Sequence, residues 1–549
     1  MAISWHFRVI LRTLTKLYRI ANLQWITSMI TNADSAEAAR QRRGRPAGPP
    51  VSLQPPNCNR LLRGGAARRT LYPLLALLFL AVLLLNPCPA QSAPIDLAVL
   101  VETDLGQPLG QLRAVPVELG PGKPKAVAAL YSSDAEIDPW IGMFFFPKST
   151  LKLALFDETG RVHWKRDLGP GVVPGVWFAP VYATDLDQDG VDELYVVGNR
   201  DPAHPMDYRE YVLEQIDAAT GRTLDQRPWP QPVEDTSMSH TYRHFIVGGQ
   251  VEGRPVVVAL EGTYGPMTLH AFGAGLKPLW QTTVDPAKLG GALGSHVTPV
   301  VDIDRDGSDE LFLGERCLSL RDGKELFCCD RDAWTGHSDI IQPVFDPGGD
   351  RWLIWTCRES FENVGPRVML FDDRGRRLWS AVEKGHMDTG WAARLGPNGE
   401  HVVLGVKVGQ KIRTAEGERR TGVVEYAFDA LSGRALDLGF KVYTTIPVDL
   451  NGDGIHELVK GYFEGDGTVL DRQGRVLGKT GGLTALNSRF TSKPGEQLLS
   501  YHPDGKVRIW FDRNAADSPA ATARYQSRFY RANQKLSGVG YNLFNLGGF

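Results

Sequence analysis

Asp185-Leu-Asp-Gln-Asp-Gly-Val-Asp-Glu-Leu194, Asp302-Ile-Asp-Arg-Asp-Gly-Ser-Asp-Glu-Leu311 and Asp449-Leu-Asn-Gly-Asp-Gly-Ile-His-Glu-Leu458 align without a gap. Each follows a short, mostly apolar run such as Val297–Val301 and leads into another such as Leu311–Leu313. An acidic, glycine-bearing loop between two apolar runs reads as a connection between neighbouring β-strands. A second pattern alternates with the first: Asp, two or three residues, Gly, usually Arg, then apolar residues and often Trp. It occurs at Asp157–Trp164, Asp217–Leu224, Asp372–Trp379, Asp429–Leu436 and Asp471–Val476, with shorter forms at Asp322-Gly323 and Asp504-Gly505. These are hairpin turns.

The two patterns recur at roughly 50–57 residues, the spacing of four-stranded propeller blades. Eight units follow, with inner strands beginning near Gln111, Val176, Thr241, His296, Ile340, Trp391, Tyr443 and Leu483. The eighth has room for only three strands before Asp512. The strand-like segment Asp96–Glu102 is therefore expected to complete it, closing the ring and hiding its sheet edges. The sequence thus predicts an all-β chain, an eight-bladed β-propeller with four-stranded blades closed by an N-terminal strand. The propeller should span residues 91–522, with 523–549 as a C-terminal tail packed against it.

At this point the chain resembles the FG-GAP/VCBS family, whose propeller blades carry calcium loops. The resemblance implies Ca²⁺ as the bound ion. Calcium takes six to eight oxygens, which alternating acidic side chains on a tight loop supply. The expected ligands are Asp185, Asp187, Asp189 and Glu193 in the first loop, and Asp302, Asp304, Asp306 and Glu310 in the second. Asp449, Asn451, Asp453 and Glu457 form the third. The family usually ends this motif in Asp where these loops carry Glu. Such ions steady a scaffold and do not by themselves define an activity.

Residues 68–90 run from a basic pair, Arg68-Arg69, through an apolar stretch, Leu74–Leu85, to Cys88-Pro-Ala90, the pattern of a cleaved export signal. We read 63–90 as a signal peptide and leave 1–62 unassigned, as sequence ahead of the true start or a disordered leader. The expected location is outside the cytoplasm, secreted or periplasmic, with no stable membrane span after cleavage. Residues 1–90 hold 12 Lys/Arg against 2 Asp/Glu, leaving 49 basic and 61 acidic residues in the remainder, a net −12. So acidic a chain is a poor nucleic-acid ligand. A monomer is expected. Four cysteines follow the signal: Cys317, Cys328, Cys329 and Cys357. In an oxidising compartment an even number suggests disulfides. Cys317 and Cys328 are equidistant from the Asp322-Gly323 turn, which would set them facing across a hairpin and leave Cys329 for Cys357.

In a propeller, loops joining the first and second strands of each blade share one face with the turns joining the third and fourth. Here both are short. The long insertions, 134–150, 198–211, 358–367 and 407–421, join second and third strands on the other face, where function is expected. The blade-to-blade connections add His240, Tyr242, Arg243, His244, His296, His337 and His386 to that face, as candidate catalytic residues. Gly-His pairs ahead of inner strands also serve as structural hydrogen-bonding groups between blades. His and Tyr can move protons, and Arg can hold a carboxylate, which suits β-elimination on a uronic-acid polymer. The tail Tyr525–Asn542 is similar to the end of secreted rhamnogalacturonan lyases with eight-bladed, calcium-bearing propellers, although their N-terminal accessory portion is not evident. The first reading is therefore a secreted calcium-binding propeller that recognises an extracellular polysaccharide or protein without assured catalysis. The alternative is a polysaccharide lyase of that kind. A third reading, a quinoprotein dehydrogenase, comes from the vicinal Cys328-Cys329 and from hairpins similar to those of quinoprotein-type propellers.

Overall fold

Strands that are apolar on both faces need cover on both faces, and stacking sheets around an axis supplies it. In the computed structural model, which describes residues 94–233, 237–414 and 417–549, strand Ala126–Ser132 is buried along its whole length, whereas the outer strand Arg377–Ala381 is largely exposed. The described residues form eight four-stranded sheets and one two-stranded hairpin, Gln410–Thr414 with Gly417–Thr421. Inner strands begin at Gln111, Val181, His244, Val300, Ser338, His386, Thr445 and Leu483, each within five residues of its expected start. The eighth blade takes its outermost strand from the N-terminal side: Leu97–Asp104 pairs antiparallel with Lys506–Asp512. Inner strands of blades 8 and 1 touch, so the ring is closed.

The hairpin repeat has a packing reason. Trp164, Trp280 and Trp379 lie on the outer strands of blades 1, 3 and 5, and each donates its indole N–H to a carbonyl in the next blade's turn: Ala218 (2.8 Å), Leu320 (2.9 Å) and Ala430 (2.8 Å). Each ring also covers the glycine of that turn; a Cβ on Gly433 would lie 2.7 Å from the Trp379 ring. The same glycine sits at φ +67°, where side chains are strained. Gly and Trp of the repeat are therefore two halves of one inter-blade contact.

These hairpins also contain a one-residue slip, at Leu155/Phe156, Gln215/Ile216, Cys317/Leu318 and Leu370/Phe371. Such a bulge moves every following side chain to the other face. The hairpin register overturns the expected cysteine pairing: the turn closes on Ser319 and Lys324, so Cys317 faces Phe327, Cys328 faces Arg316, and all four cysteines are free. Asp504-Gly505 also differs from expectation. It joins the second and third strands of blade 8, not the third and fourth.

After Asp512 the chain forms two short helices, Pro519–Gln526 and Arg528–Gln534, against the acidic-loop face. It then enters the axis. Asn533 Nδ2 donates to the Val300 carbonyl (2.7 Å), Ser537 Oγ to Ala114 (2.7 Å), and Gln342 Nε2 to Phe544 (2.6 Å), so the plug satisfies inner-strand groups of several blades. Buried Arg524 secures it through Glu496 (2.7 Å) and the Phe549 oxygen (2.7 Å). Residues 1–93, including the expected signal, lie outside the described residues. Among the described residues no helix is long and apolar enough to cross a membrane.

Two substitutions test this packing. Gly433→Ala should cost about 1–3 kcal/mol through strain and the Trp379 clash. Arg524→Ala should cost about 3–5 kcal/mol by leaving Glu496 buried with a lost partner. Urea unfolding measures both, and parental midpoints would refute the assigned contacts.

Candidate functional site

On the face with the long loops, a cavity of about 1150 Å³ opens along the axis. Its floor is a charged cluster centred on Glu359, which follows the second strand of blade 5. His296 Nε2 lies 3.4 Å and His337 Nε2 3.6 Å from Glu359 Oε2, while His386 Nε2 lies 3.4 Å from Oε1. Each histidine comes from the connection into a different blade, or from the first residue of its inner strand. The rings pack in a row: His296 meets His337 edge-on at 4.4 Å, Tyr264 lies 4.2 Å from His337, and Trp177 lies 4.7 Å from His296, between centroids.

Burial pushes the His296 and His337 pKa values down, favouring neutral imidazoles. Burial also opposes ionisation of Glu359, but a hydrogen bond from His296 and the nearby Lys411 ammonium outweigh it and hold the carboxyl well below its usual range. Asp339 is pushed up by burial and by the charges of Glu359 and Asp388. His296, His337 and Glu359 offer ligand atoms within 4.8 Å of one another, as do Glu359, His386 and Asp388. Neutral imidazoles with a carboxylate are a donor set suited to a divalent metal. The outer of these two groups already faces cations. Lys411 and Arg420 both bind Asp388, and Lys411 Nζ lies 3.8 Å from Glu359. These two residues are opposite partners on the two-stranded hairpin, which places both side chains on one face.

Arg243 forms another wall. Its guanidinium lies 4.4 Å from the Trp177 centroid and 5.7 Å from that of Tyr264, and Nη2 donates to Asp138 (3.2 Å). Its Nε and Nη1 are buried without a hydrogen-bond partner among the described residues. Unfilled buried donors lining a cavity are a ready site for a planar anion such as a carboxylate. Tyr541, carried through the axis by the tail, completes the lining, 5.1 Å from the His296 ring.

Of the candidates read from the sequence, His296, His337, His386 and Arg243 meet at this site. His240, Tyr242 and His244 do not line the cavity; they are buried at the junction of blades 2 and 3. His240 Nδ1 contacts the Thr263 carbonyl (2.9 Å), Tyr242 donates to the Met206 carbonyl, and His244 lies 3.1 Å from Glu261. Glu359, Lys411, Arg420 and Tyr541 were missed individually. The first three lie in insertions already marked as functional, while nothing local marks Tyr541.

The acidic loops lie on the opposite face, as expected. In each, the closing Glu folds back onto a backbone N–H: Glu193 to Leu186 (3.0 Å), Glu310 to Ile303 (2.9 Å) and Glu457 to Leu450 (2.9 Å). Burial, with added repulsion from the loop aspartates, pushes Glu193 to about 7 and Glu310 to about 8. The carboxylates of Asp185, Asp187 and Asp189, and those of Asp302, Asp304 and Asp306, lie close enough in each loop to share one ion.

No protein-family profile matches the chain, so the FG-GAP/VCBS resemblance rests on its loops. The chain is similar to the rhamnogalacturonan endolyase YesW of Bacillus subtilis (strain 168), at 25% identity over 371 residues, covering 55% of this chain and 58% of the relative. The match thus spans little more than half of that relative's length. Among solved structures, the exotype rhamnogalacturonan lyase YesX superposes with a TM-score of 0.65 at 18% identity, covering 81% of this chain and 80% of that one. The Bacillus licheniformis rhamnogalacturonan lyase PL11 gives a TM-score of 0.62 at 18% identity, covering 80% of each chain. These likenesses support the eight-bladed fold.

The two groups of histidines should separate on substitution. His244→Ala should cost about 1–3 kcal/mol by depriving buried Glu261 of a partner. His386→Ala, at a position whose side chain is 31% exposed, should leave the urea midpoint near that of the parent. The reverse order would show that the site has been misplaced.

Proposed function

We propose that this chain is an exported polysaccharide lyase that cleaves a uronic-acid polymer by β-elimination. The observation that carries this reading is the cavity itself, where Arg243 offers unfilled donors beside the Glu359–histidine cluster. Arg243 and Lys411 hold the uronate carboxylate and spread the charge that develops on it as the C5 proton leaves. His386, the most exposed of the three histidines, takes that proton. The electron pair forms the C4=C5 double bond, the C4–O bond breaks, and the departing oxygen takes a proton from Tyr541. His296, His337 and Glu359 would hold a divalent metal, which when bound supplies further positive charge against the substrate carboxylate. The named relatives favour this reading over the non-catalytic binder, and they make rhamnogalacturonan the first polymer to test. Turnover should appear as ultraviolet absorbance of the unsaturated product. His386→Ala should lower it by roughly 10²–10⁴-fold while keeping the parental melting temperature. Activity unchanged in that variant would remove His386 from the mechanism.

The same proposal assigns Ca²⁺ to the three acidic loops, where a cation would offset the aspartate repulsion that adds to burial in raising Glu193 and Glu310. An ion that binds only the folded chain stabilises it by about 2.7 kcal/mol per site at a hundredfold excess over Kd. Melting temperature should therefore rise with calcium and fall with chelator. Asp304→Ala with Asp306→Ala should remove part of the shift. Indifference to both calcium and chelator would sink the assignment.

A further inference from the structure

Two exposed aromatic side chains stand on blades 1 and 5: Trp140 on the charged cavity and Phe361 on a recess that adjoins it. Trp140, 48% exposed, lines it from the long loop of blade 1. Its backbone N–H donates to Asp138 Oδ1 (2.7 Å), and the same carboxylate receives Arg243 Nη2 (3.2 Å) and Trp177 Nε1 (2.8 Å). The base of the ring is thus tied to the cationic wall, while the ring itself faces solvent.

Phe361, 60% exposed, rises from the long loop of blade 5. Its φ is +53°, a region that bulky residues avoid. Its carbonyl is held by Arg367 Nη1 (3.1 Å) and by the Val364 amide (2.8 Å). Backbone strain that keeps an apolar ring in water points to a ligand for that ring. A recess of about 400 Å³ lies beside it, lined by Phe361, Val364, Glu359, Glu362 and His386. The last three also line the main cavity, so the two spaces form one groove. Blades 1 and 5 are four positions apart in a ring of eight, so this groove crosses the axis and continues on both sides of Glu359.

We propose that Trp140 and Phe361 are the outer sugar-stacking platforms of a groove that holds an internal stretch of an acidic polysaccharide, with the reacting uronate between them. What happens at the centre rests on the lyase reading; the platforms concern the hold on the chain at either side. The C–H face of a sugar ring covers an aromatic face and removes apolar surface from water.

The test compares Trp140→Ala and Phe361→Ala with the parent on rhamnogalacturonan polymer and on its shortest cleaved oligosaccharides, alongside affinity electrophoresis in gels containing the polymer. Each variant should raise KM on polymer roughly tenfold, with kcat retained and short substrates unaffected. Trp140→Tyr and Phe361→Tyr should restore the parental KM, which a merely structural effect would not require. Parental KM on polymer in both alanine variants would overturn the proposal. A parent that cleaves nothing, yet is retarded in the gel where both alanine variants are not, would sink the lyase reading and uphold the groove. A parent neither active nor retarded would sink both.

Discussion

A ring of eight blades leaves a hole along its axis that the inner strands cannot fill. Backbone and side-chain polar groups face that hole, and they must find partners or water. The C-terminal tail meets this constraint. It approaches so closely that a Cβ on Gly540 would fall 2.3 Å from the His296 carbonyl oxygen, and one on Gly548 1.9 Å from that of Pro343. Asn487, Asn533 and Asn542 then pair tail and strand groups on either side. The tail is therefore as much a part of the core as any blade.

Filling the axis also builds the site. The tail enters from the acidic-loop face and brings Tyr541 to the opposite one, beside Trp177 and His296. Stability and chemistry are thereby linked through one segment. The blades supply the rest by geometry: each connection into an inner strand ends near the axis, so residues from successive blades converge without being neighbours in sequence. Glu359 can meet three histidines because those histidines open three different blades.

The site holds opposing charges in a confined volume. Lys411 and Arg420 face Asp388 and Glu359, and the Lys411 pKa is raised by those carboxylates despite burial. Its ammonium is therefore kept as a cation, suited to neutralising a carboxylate and not to taking a proton. Division of labour follows from exposure. Buried His296 and His337 hold the floor, while the side chains of His386 and Lys411, 31% and 27% exposed, are open to the cavity.

The sequence by itself determined what local chemistry can specify. The Asp-rich loops, the Asp–Gly hairpins and the apolar runs between them each act over fewer than about ten residues, and their period implied eight blades and a borrowed strand. It also marked the face on which the cavity opens, because loop length is written directly in the chain. Tertiary structure alone decided the rest. The hairpin that closes on Ser319 and Lys324, off the centre that residue counting gives, set Cys317 opposite Phe327 and removed the expected disulfide. Burial separated His240, Tyr242 and His244 from the histidines that share Glu359. Tyr541 reached the pocket only because the tail threads an axis that exists after all eight blades have closed, and long-range closure of that kind leaves no periodic trace in the sequence.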